Sequence, residues 1–116
     1  MYNISLNFRI AVNAEMNDLI KIISTNFDDF YKDDFSERSF LLGDNFVEIV
    51  KNDDYDIRLS NEDDDAYLYY KYNIDFYPKS EHVLLSYQIK LAKRIRDLFR
   101  KETIKAEIIS EFEHLL

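Results

Sequence analysis

The apolar residues of this chain change their spacing along the sequence, and this change constrains the fold more than any other feature. From residue 4 to residue 12 every second position is apolar: Ile4, Leu6, Phe8, Ile10 and Val12. A period of two predicts a strand with one buried face. Over residues 14–31 the apolar positions step by three and four instead, which predicts an amphipathic helix.

The middle of the chain predicts two to four further strands joined by turns. RSFLL and FVEIV flank a Gly-Asp-Asn triplet at residues 43–45, which is typical of a hairpin. YDIRLS, at residues 55–60, alternates apolar with polar residues and predicts a short strand. NEDDD then predicts a second hairpin turn into the strand YLYYKYNIDFYP, at residues 67–78. Pro78 ends that strand because proline cannot donate a hydrogen bond to the sheet.

A second helical stripe and a last alternating segment complete the pattern. The helix is expected over residues 81–101 with Ser80 as its N-cap, and the strand in IKAEIISEFEHLL. Ile109 breaks the alternation and is expected to lie under an adjoining loop or a partner. The predicted fold class is α+β: an antiparallel-rich sheet with two helices packed on one face, ferredoxin-like or a variant of it. The other sheet face is expected to be open unless a second copy or a ligand covers it.

Bulk properties predict one independent domain in the cytoplasm. The chain has 116 residues, the usual size of one domain, so residues 1–116 are expected to form a single domain. It contains no cysteine, which excludes disulfides, thiolate catalysis and cysteine-ligated zinc. It shows neither a signal-peptide pattern nor an apolar run of about 18 residues that would predict a membrane helix. We therefore expect a cytoplasmic protein with no membrane partner.

The motifs of common enzymes are missing from the sequence. Gly43 is the only glycine, whereas phosphate-binding loops, dinucleotide fingerprints and nucleophile elbows need several. Residues 52–63 resemble an EF-hand loop in spacing, but Ile57 stands where glycine is required and Asp63 where glutamate is required. His82 and His114 lie in different elements without a helically spaced ligand. We expect no enzyme activity, no metal and no cofactor, and keep an enzyme of unrecognised type as a minor alternative.

Charge is distributed unevenly along an acidic chain. The net charge is −8, and residues 28–65 hold fourteen acids against four basic residues, a local net of −10. Residues 79–105 hold eight basic residues against three acids, a local net of +5. A negative molecule repels nucleic acids and anionic membranes, so a basic protein is the favoured partner. The basic residues late in the second helix are typical of a solvated face that complements the helix dipole, with a nucleic-acid site there as the lesser alternative.

Acids and tyrosines together predict a partner-binding surface. Alternation in residues 67–78 places one set of side chains toward the core: Leu68, Tyr70, Tyr72, Ile74 and Phe76. Tyr67, Tyr69 and Tyr77 are left on the more polar face. Acids form turns readily, but this region holds more of them than turns require, and tyrosine is enriched in protein interfaces. The predicted surface consists of Asp53, Asp54, Asp56, Glu62, Asp63, Asp64, Asp65, Tyr67, Tyr69 and Tyr77.

The layout of residues 66–116 resembles that of a known class of proteins. The strand YLYYKYNIDFYP, the long helix and the final segment IISEFEHLL are similar to small immunity proteins of bacterial contact-dependent inhibition and polymorphic-toxin systems. The resemblance implies a cytoplasmic inhibitor that binds one toxin domain, often a basic nuclease. Two alternatives remain: a phage- or plasmid-encoded anti-defence protein that mimics nucleic-acid charge, and a small-molecule-binding domain with a pocket lined by Tyr67, Tyr69 and Tyr77. A homodimer through the open sheet face is also possible.

Overall fold

The computed structural model describes residues 5–34 and 36–116, so the predicted strand position Ile4 lies outside the described residues. Within these ranges the strands are β1 (Phe8–Val12), β2 (Phe30–Lys32), β3 (Ser39–Leu42), β4 (Asn45–Lys51), β5 (Tyr72–Pro78) and β6 (Ala106–Ser110). The helices are α1 (Met16–Asn26), α2 (Leu59–Glu62) and α3 (Leu85–Lys101). Short 3-10 turns occupy Ala66–Tyr69 and Glu113–Leu115.

The strands form one antiparallel sheet in the order β2-β3-β4-β5-β1-β6. β1 and β4 therefore run parallel with β5 between them, and β5 and β6 run parallel with β1 between them. Together with α1 and α3 these strands make the two split β-α-β units of a ferredoxin-like fold, to which β2 and β3 add an edge. The predicted α+β fold class is confirmed, with four strands between the two long helices.

Both long helices pack on the same face of the sheet. The register places Ile74 opposite Ile10 and Phe76 opposite Phe8, and the rings of Phe8 and Phe76 stack with centroids 4.4 Å apart. Leu19 of α1 joins the same buried cluster as these sheet residues. The other fully enclosed helix residues in this cluster are Ile23, Ala92, Ile95 and Phe99. Burial of one such large side chain stabilises the fold by about 1.5–3 kcal/mol, so this cluster holds the helices to the sheet.

Two buried amide side chains connect α3 to the sheet. Asn45 at the start of β4 and Gln88 in α3 are both completely buried. The Asn45 Nδ2 group donates to Gln88 Oε1 at 2.9 Å, and Gln88 Nε2 donates to Asn45 Oδ1 at 2.9 Å. Gln88 Nε2 also donates to the backbone carbonyl of Leu6 at 2.9 Å. Since any shift of α3 along the sheet would break these bonds inside the protein, the pair fixes the helix position.

The predicted helices are longer than the observed ones. α1 ends at Asn26 rather than at residue 31, because the backbone becomes extended at Phe27 and then enters β2. Phe27 remains buried, and the guanidinium of Arg94 lies 4.1 Å from the centre of its ring. α3 begins at Leu85 rather than at residue 81, and Ser80 accepts the backbone N–H of His82 in a turn that precedes the helix. The apolar periodicity thus continues into residues that pack without being helical.

The largest error of the sequence prediction lies between β4 and β5, in residues 52–71, called here the acidic excursion. The predicted strand at residues 55–60 is wrong, since this segment turns into α2. The first part of the predicted strand 67–78 is also wrong, because Ala66–Tyr69 is a 3-10 turn and β5 starts at Tyr72. Asp56 Oδ1 accepts the Leu59 N–H at 2.9 Å, and Asp63 Oδ1 accepts the Asp65 N–H at 2.8 Å. These local bonds compete with strand pairing and stabilise turns in its place.

The lengths of the helices can be compared with the length needed to span a membrane. A membrane-spanning helix needs about 20 mostly apolar residues. α1 has 11 residues, and α3 has 17 residues with basic side chains along it. Across residues 5–34 and 36–116, no helix has both the length and the apolar character to cross a bilayer.

Replacing Gln88 by leucine tests the buried amide pair. The Gln88→Leu variant leaves the Asn45 amide and the Leu6 carbonyl unpaired inside the protein, so we expect the free energy of unfolding to fall by about 2–4 kcal/mol. Urea denaturation followed by circular dichroism measures this change. The double variant Asn45→Leu/Gln88→Leu removes both amides and should lose less than the sum of the two single variants. Strict additivity would contradict the coupling.

Candidate protein-binding surfaces

Asn52 closes the acidic excursion at its base. Its Nδ2 group donates to the carbonyls of Leu68 at 3.0 Å and Tyr70 at 2.7 Å, and its Oδ1 accepts the Asp54 N–H at 3.0 Å. The Asn52 N–H also donates to the carbonyl of Lys71 at 3.1 Å. The two ends of the excursion therefore meet at one asparagine, and the excursion leaves and re-enters the sheet at neighbouring points.

The excursion covers part of the sheet face opposite α1 and α3, called here the helix-free face because neither long helix lies on it. Ala11 alternates with the core residues of β1 and so points to the helix-free face, yet it is completely buried. Tyr70 is buried too, and neither residue belongs to the main core cluster. Lys105 donates to the Ser60 carbonyl at 3.4 Å and to Asn61 Oδ1 at 2.8 Å, which ties the excursion to the chain before β6. The predicted open face is thus closed at the end where β4 stops and β5 begins.

The surroundings of Ile109 and Tyr70 show where the excursion meets the sheet. Ile109 is half-buried and lines a cavity together with Tyr67 of the excursion and Glu113, so the excursion comes close to Ile109, and its cover by a loop or a partner stays a prediction. Burial raises the pKa of the Tyr70 hydroxyl, and the negative charge of Glu107 raises this pKa further. Both effects favour the neutral phenol.

The predicted acidic residues of the excursion are mostly exposed. The predicted acids are Asp53, Asp54, Asp56, Glu62, Asp63, Asp64 and Asp65, and all but Asp63 are exposed. Asp56 and Asp63 serve the local turns, and Glu62 lies 4.0 Å from Arg58. Within the described part of the chain, the other four carboxylates, Asp53, Asp54, Asp64 and Asp65, have no side-chain hydrogen bond or ion pair. Most of this charge therefore has no role inside the fold.

Apolar side chains stand among these acids. Ile57 is 69% exposed and Leu68 is 49% exposed, although Leu68 was predicted to face the core. Leu68 belongs to a 3-10 turn, where the alternation of a strand does not apply. Tyr55 is also exposed, and Lys71 lies 5.6 Å from the centre of its ring while pairing with Glu15 at the start of α1. The excursion thus presents apolar groups surrounded by carboxylates.

The three predicted tyrosines do not share one surface. Tyr67 and Tyr69 lie half-buried in the 3-10 turn, whereas Tyr77 is near the far end of β5. Tyr77 lies five positions after Tyr72, a distance of about 17 Å along a strand. Tyr67 and Tyr77 also line different cavities, so the alternative of a pocket built from all three tyrosines is not supported by this geometry.

Tyr77 belongs to a second exposed surface that the sequence prediction missed. The register places Tyr31 opposite Leu41, Leu41 opposite Phe46, and Phe46 opposite Tyr77. These four residues form a continuous row across β2, β3, β4 and β5 on the helix-free face, called here the aromatic row. Its signal in the sequence is weak, because Leu41 lies between the buried residues Phe40 and Leu42, and Phe46 lies next to the buried Val47.

An ion pair lies beside the aromatic row. Arg9 donates from Nε and Nη2 to the two oxygens of Asp75 at 2.5 and 2.9 Å, and Tyr77 Oη lies 3.4 Å from the same carboxylate. The hydrogen bond to Asp75 raises the pKa of the Arg9 guanidinium. Burial raises the pKa of the Tyr77 hydroxyl, and the charges of Asp75 and Glu48 add to this effect. Arg9 is therefore paired with Asp75, and the charge of the nearby Glu48 has no ion pair among the described residues.

Two arginines of the basic segment, residues 79–105, make contacts inside the fold. Arg94 packs on Phe27 and donates to the Asn26 carbonyl at 2.9 Å. Arg100 donates to the carbonyl of Ala106 at 2.9 and 3.1 Å and approaches Glu107 at 3.2 Å. These contacts fix the ends of α1 and β6 against α3, which gives the two arginines structural roles.

Neither metal ligands among the described residues nor comparisons with known proteins indicate what these surfaces do. Among residues 5–34 and 36–116, no three histidine or carboxylate side chains are arranged to hold a metal ion. Comparison of the chain with protein-family models, with curated proteins and with solved structures gave no match. The function therefore has to be inferred from the two exposed surfaces.

Replacing Asn52 by alanine should loosen the excursion without unfolding the sheet. The Asn52→Ala variant loses the side-chain bonds to Leu68 and Tyr70, each worth about 0.5–1.5 kcal/mol. We expect amide hydrogen exchange to accelerate about tenfold or more within residues 53–70, with little change in β1 and β5. Asp53→Ala is the matched control, because the Asp53 side chain makes no such bond. Equal exchange in both variants would contradict the role of Asn52.

Proposed function

We propose that this protein is an immunity protein that binds and neutralises a basic bacterial toxin domain through the acidic excursion. The observation that carries the proposal is the set of four exposed carboxylates, Asp53, Asp54, Asp64 and Asp65, that have no partner among the described residues. Clustered like charges repel each other and destabilise a fold. A cluster without internal partners is therefore best explained by a positive group that it meets in a complex.

The excursion combines the two properties that a protein-binding surface needs. Exposed carboxylates steer a basic partner and raise the association rate. Ile57 and Leu68, exposed among them, supply the apolar contacts that slow dissociation. No covalent chemistry is required of such a surface, so the proposed inhibitor acts by occupying its partner and is not an enzyme.

The class of partner follows from charge and from the resemblance of residues 66–116 to immunity proteins. Nucleases that bind a polyanion carry basic surfaces, and an acidic inhibitor covers such a surface efficiently. We propose a nuclease toxin domain as the cognate partner, inhibited by occlusion of its nucleic-acid site. The toxin gene is expected directly upstream of the gene for this protein, which provides the partner for the experiment.

Neutralising the four unpaired carboxylates tests the proposed surface. The variant Asp53→Asn/Asp54→Asn/Asp64→Asn/Asp65→Asn keeps the shape of the side chains and removes four negative charges. We expect its association with the toxin domain to be about tenfold or more slower at low salt and less dependent on salt concentration. Stopped-flow fluorescence at several salt concentrations measures both quantities.

A control with the same change in net charge separates local from global electrostatics. Asp28→Asn/Glu37→Gln/Glu81→Gln/Glu102→Gln also removes four exposed negative charges, all outside the excursion. It should retain faster association than the excursion variant. If both variants associate at the same rate, the excursion is not the binding surface. If growth inhibition by the toxin persists when the wild-type protein is co-produced, the function as an immunity protein is wrong.

A further inference from the structure

We infer that the aromatic row is a second binding site, which takes an extended peptide segment with alternating basic and apolar side chains. This site is distinct from the acidic excursion and does not depend on the function proposed for it. The inference rests on the exposure of the row, its dimensions and the charges around it.

The aromatic row is unusually exposed for residues in the strands of a sheet. Tyr31 is 71% exposed, Phe46 is 53% exposed and Tyr77 is 39% exposed. With Leu41 they line a cavity of about 500 Å³ on the helix-free face. Cavities of about 300–1,000 Å³ with apolar walls and a few polar groups are typical of binding sites. Exposed aromatic rings that line such a cavity supply the contacts that dominate binding energy in interfaces.

The dimensions of the row fit a short extended segment. The row crosses four neighbouring strands, and three spacings of about 4.8 Å give a length of about 14 Å. An extended peptide covers this length with about four residues at about 3.3 Å each. Alternate side chains of such a peptide point to the same side, about 7 Å apart, so two apolar side chains can lie between Tyr31 and Tyr77. The long basic side chains between them start on the other side of the peptide and can bend past its edge toward the rim of the cavity.

The charges around the row favour a basic occupant. Asp34 lines the same cavity, and Glu48 lies two residues beyond Phe46 on the same face of β4. Lys32 is the one basic residue among those that line the cavity, and Arg9 nearby is committed to Asp75. Arginine or lysine next to an apolar side chain would meet these carboxylates and could also stack on the exposed rings.

The same features oppose a second copy of this chain as the occupant. In a twofold dimer each aromatic row would face another, and Asp34 and Glu48 of both copies would be brought together. Each copy carries a net charge of −8, so this approach is repulsive. A standard interface also uses about 20–30 residues from each side, whereas the row offers four.

Titration with short peptides tests the inference. The probe is a blocked seven-residue peptide that alternates arginine with phenylalanine, added to ¹⁵N-labelled protein and followed by NMR. We expect the amide signals of residues 31, 41, 46 and 77 to shift. A peptide with glutamate in place of arginine should not bind, and one with glycine in place of phenylalanine should bind at least tenfold more weakly.

Variants of exposed residues locate the binding. Phe46→Ser and, separately, Tyr31→Ser should each weaken binding of the arginine–phenylalanine peptide about tenfold or more, while dispersed NMR spectra show that both variants are folded. Ile57→Ser/Leu68→Ser is the matched control, because it removes exposed apolar groups from the excursion and should leave peptide binding unchanged.

Three outcomes would overturn the inference. They are signal changes confined to the excursion, equal binding of the arginine and glutamate peptides, and a concentration-dependent dimer that Phe46→Ser abolishes in sedimentation experiments. These outcomes are independent of the toxin experiment. Loss of toxin binding in the excursion variant with intact peptide binding separates the two sites, and failure of either site leaves the other standing.

Discussion

A sheet has two faces, and the two long helices of this protein cover only one of them. α1 and α3 both pack on the side of Ile10 and Phe76, where the main core lies. The opposite side would expose the whole width of a six-stranded sheet to water. The two ends of this side differ in how far they are covered. The acidic excursion lies over Ala11 at one end, and the aromatic row remains in solvent at the other. Both candidate surfaces exist because of this one constraint.

Some charged side chains of this protein make contacts inside the fold, and others do not. Arginines of α3 make contacts that a folded protein needs: Arg94 stacks on Phe27, and Arg100 donates to a carbonyl of β6. By contrast, Asp64 and Asp65 make no side-chain bond within the described part of the chain. Solubility alone needs an excess of charge but does not need its concentration in one segment. Two of the basic residues of α3 therefore stabilise the fold, whereas Asp64 and Asp65 contribute no side-chain bond to it.

The sequence predicts the fold where apolar periodicity reflects the main core, and it fails where local bonds decide the structure. β1, α1, α3 and the hairpin of β3 and β4 each bury one face in the same cluster, so their periodicity is a reliable signal. Tyr55, Ile57 and Leu59 alternate equally well, but the neighbouring Asp56 side chain caps a helical turn instead. The exposure of the acids was predictable from their chemistry. The aromatic row was not, because Tyr31, Phe46 and Tyr77 come from distant parts of the chain and meet only through strand register.

The closure of the excursion by Asn52 has a consequence for how this protein changes over evolutionary time. Since Asn52 and Lys71 are hydrogen-bonded neighbours, the segment between them can gain, lose or exchange residues while β4 and β5 stay in place. Many of its side-chain hydrogen bonds join residues of the excursion to each other, whereas the sheet depends on long-range packing. Changes at the exposed positions of this segment therefore leave the pairing of the six strands intact.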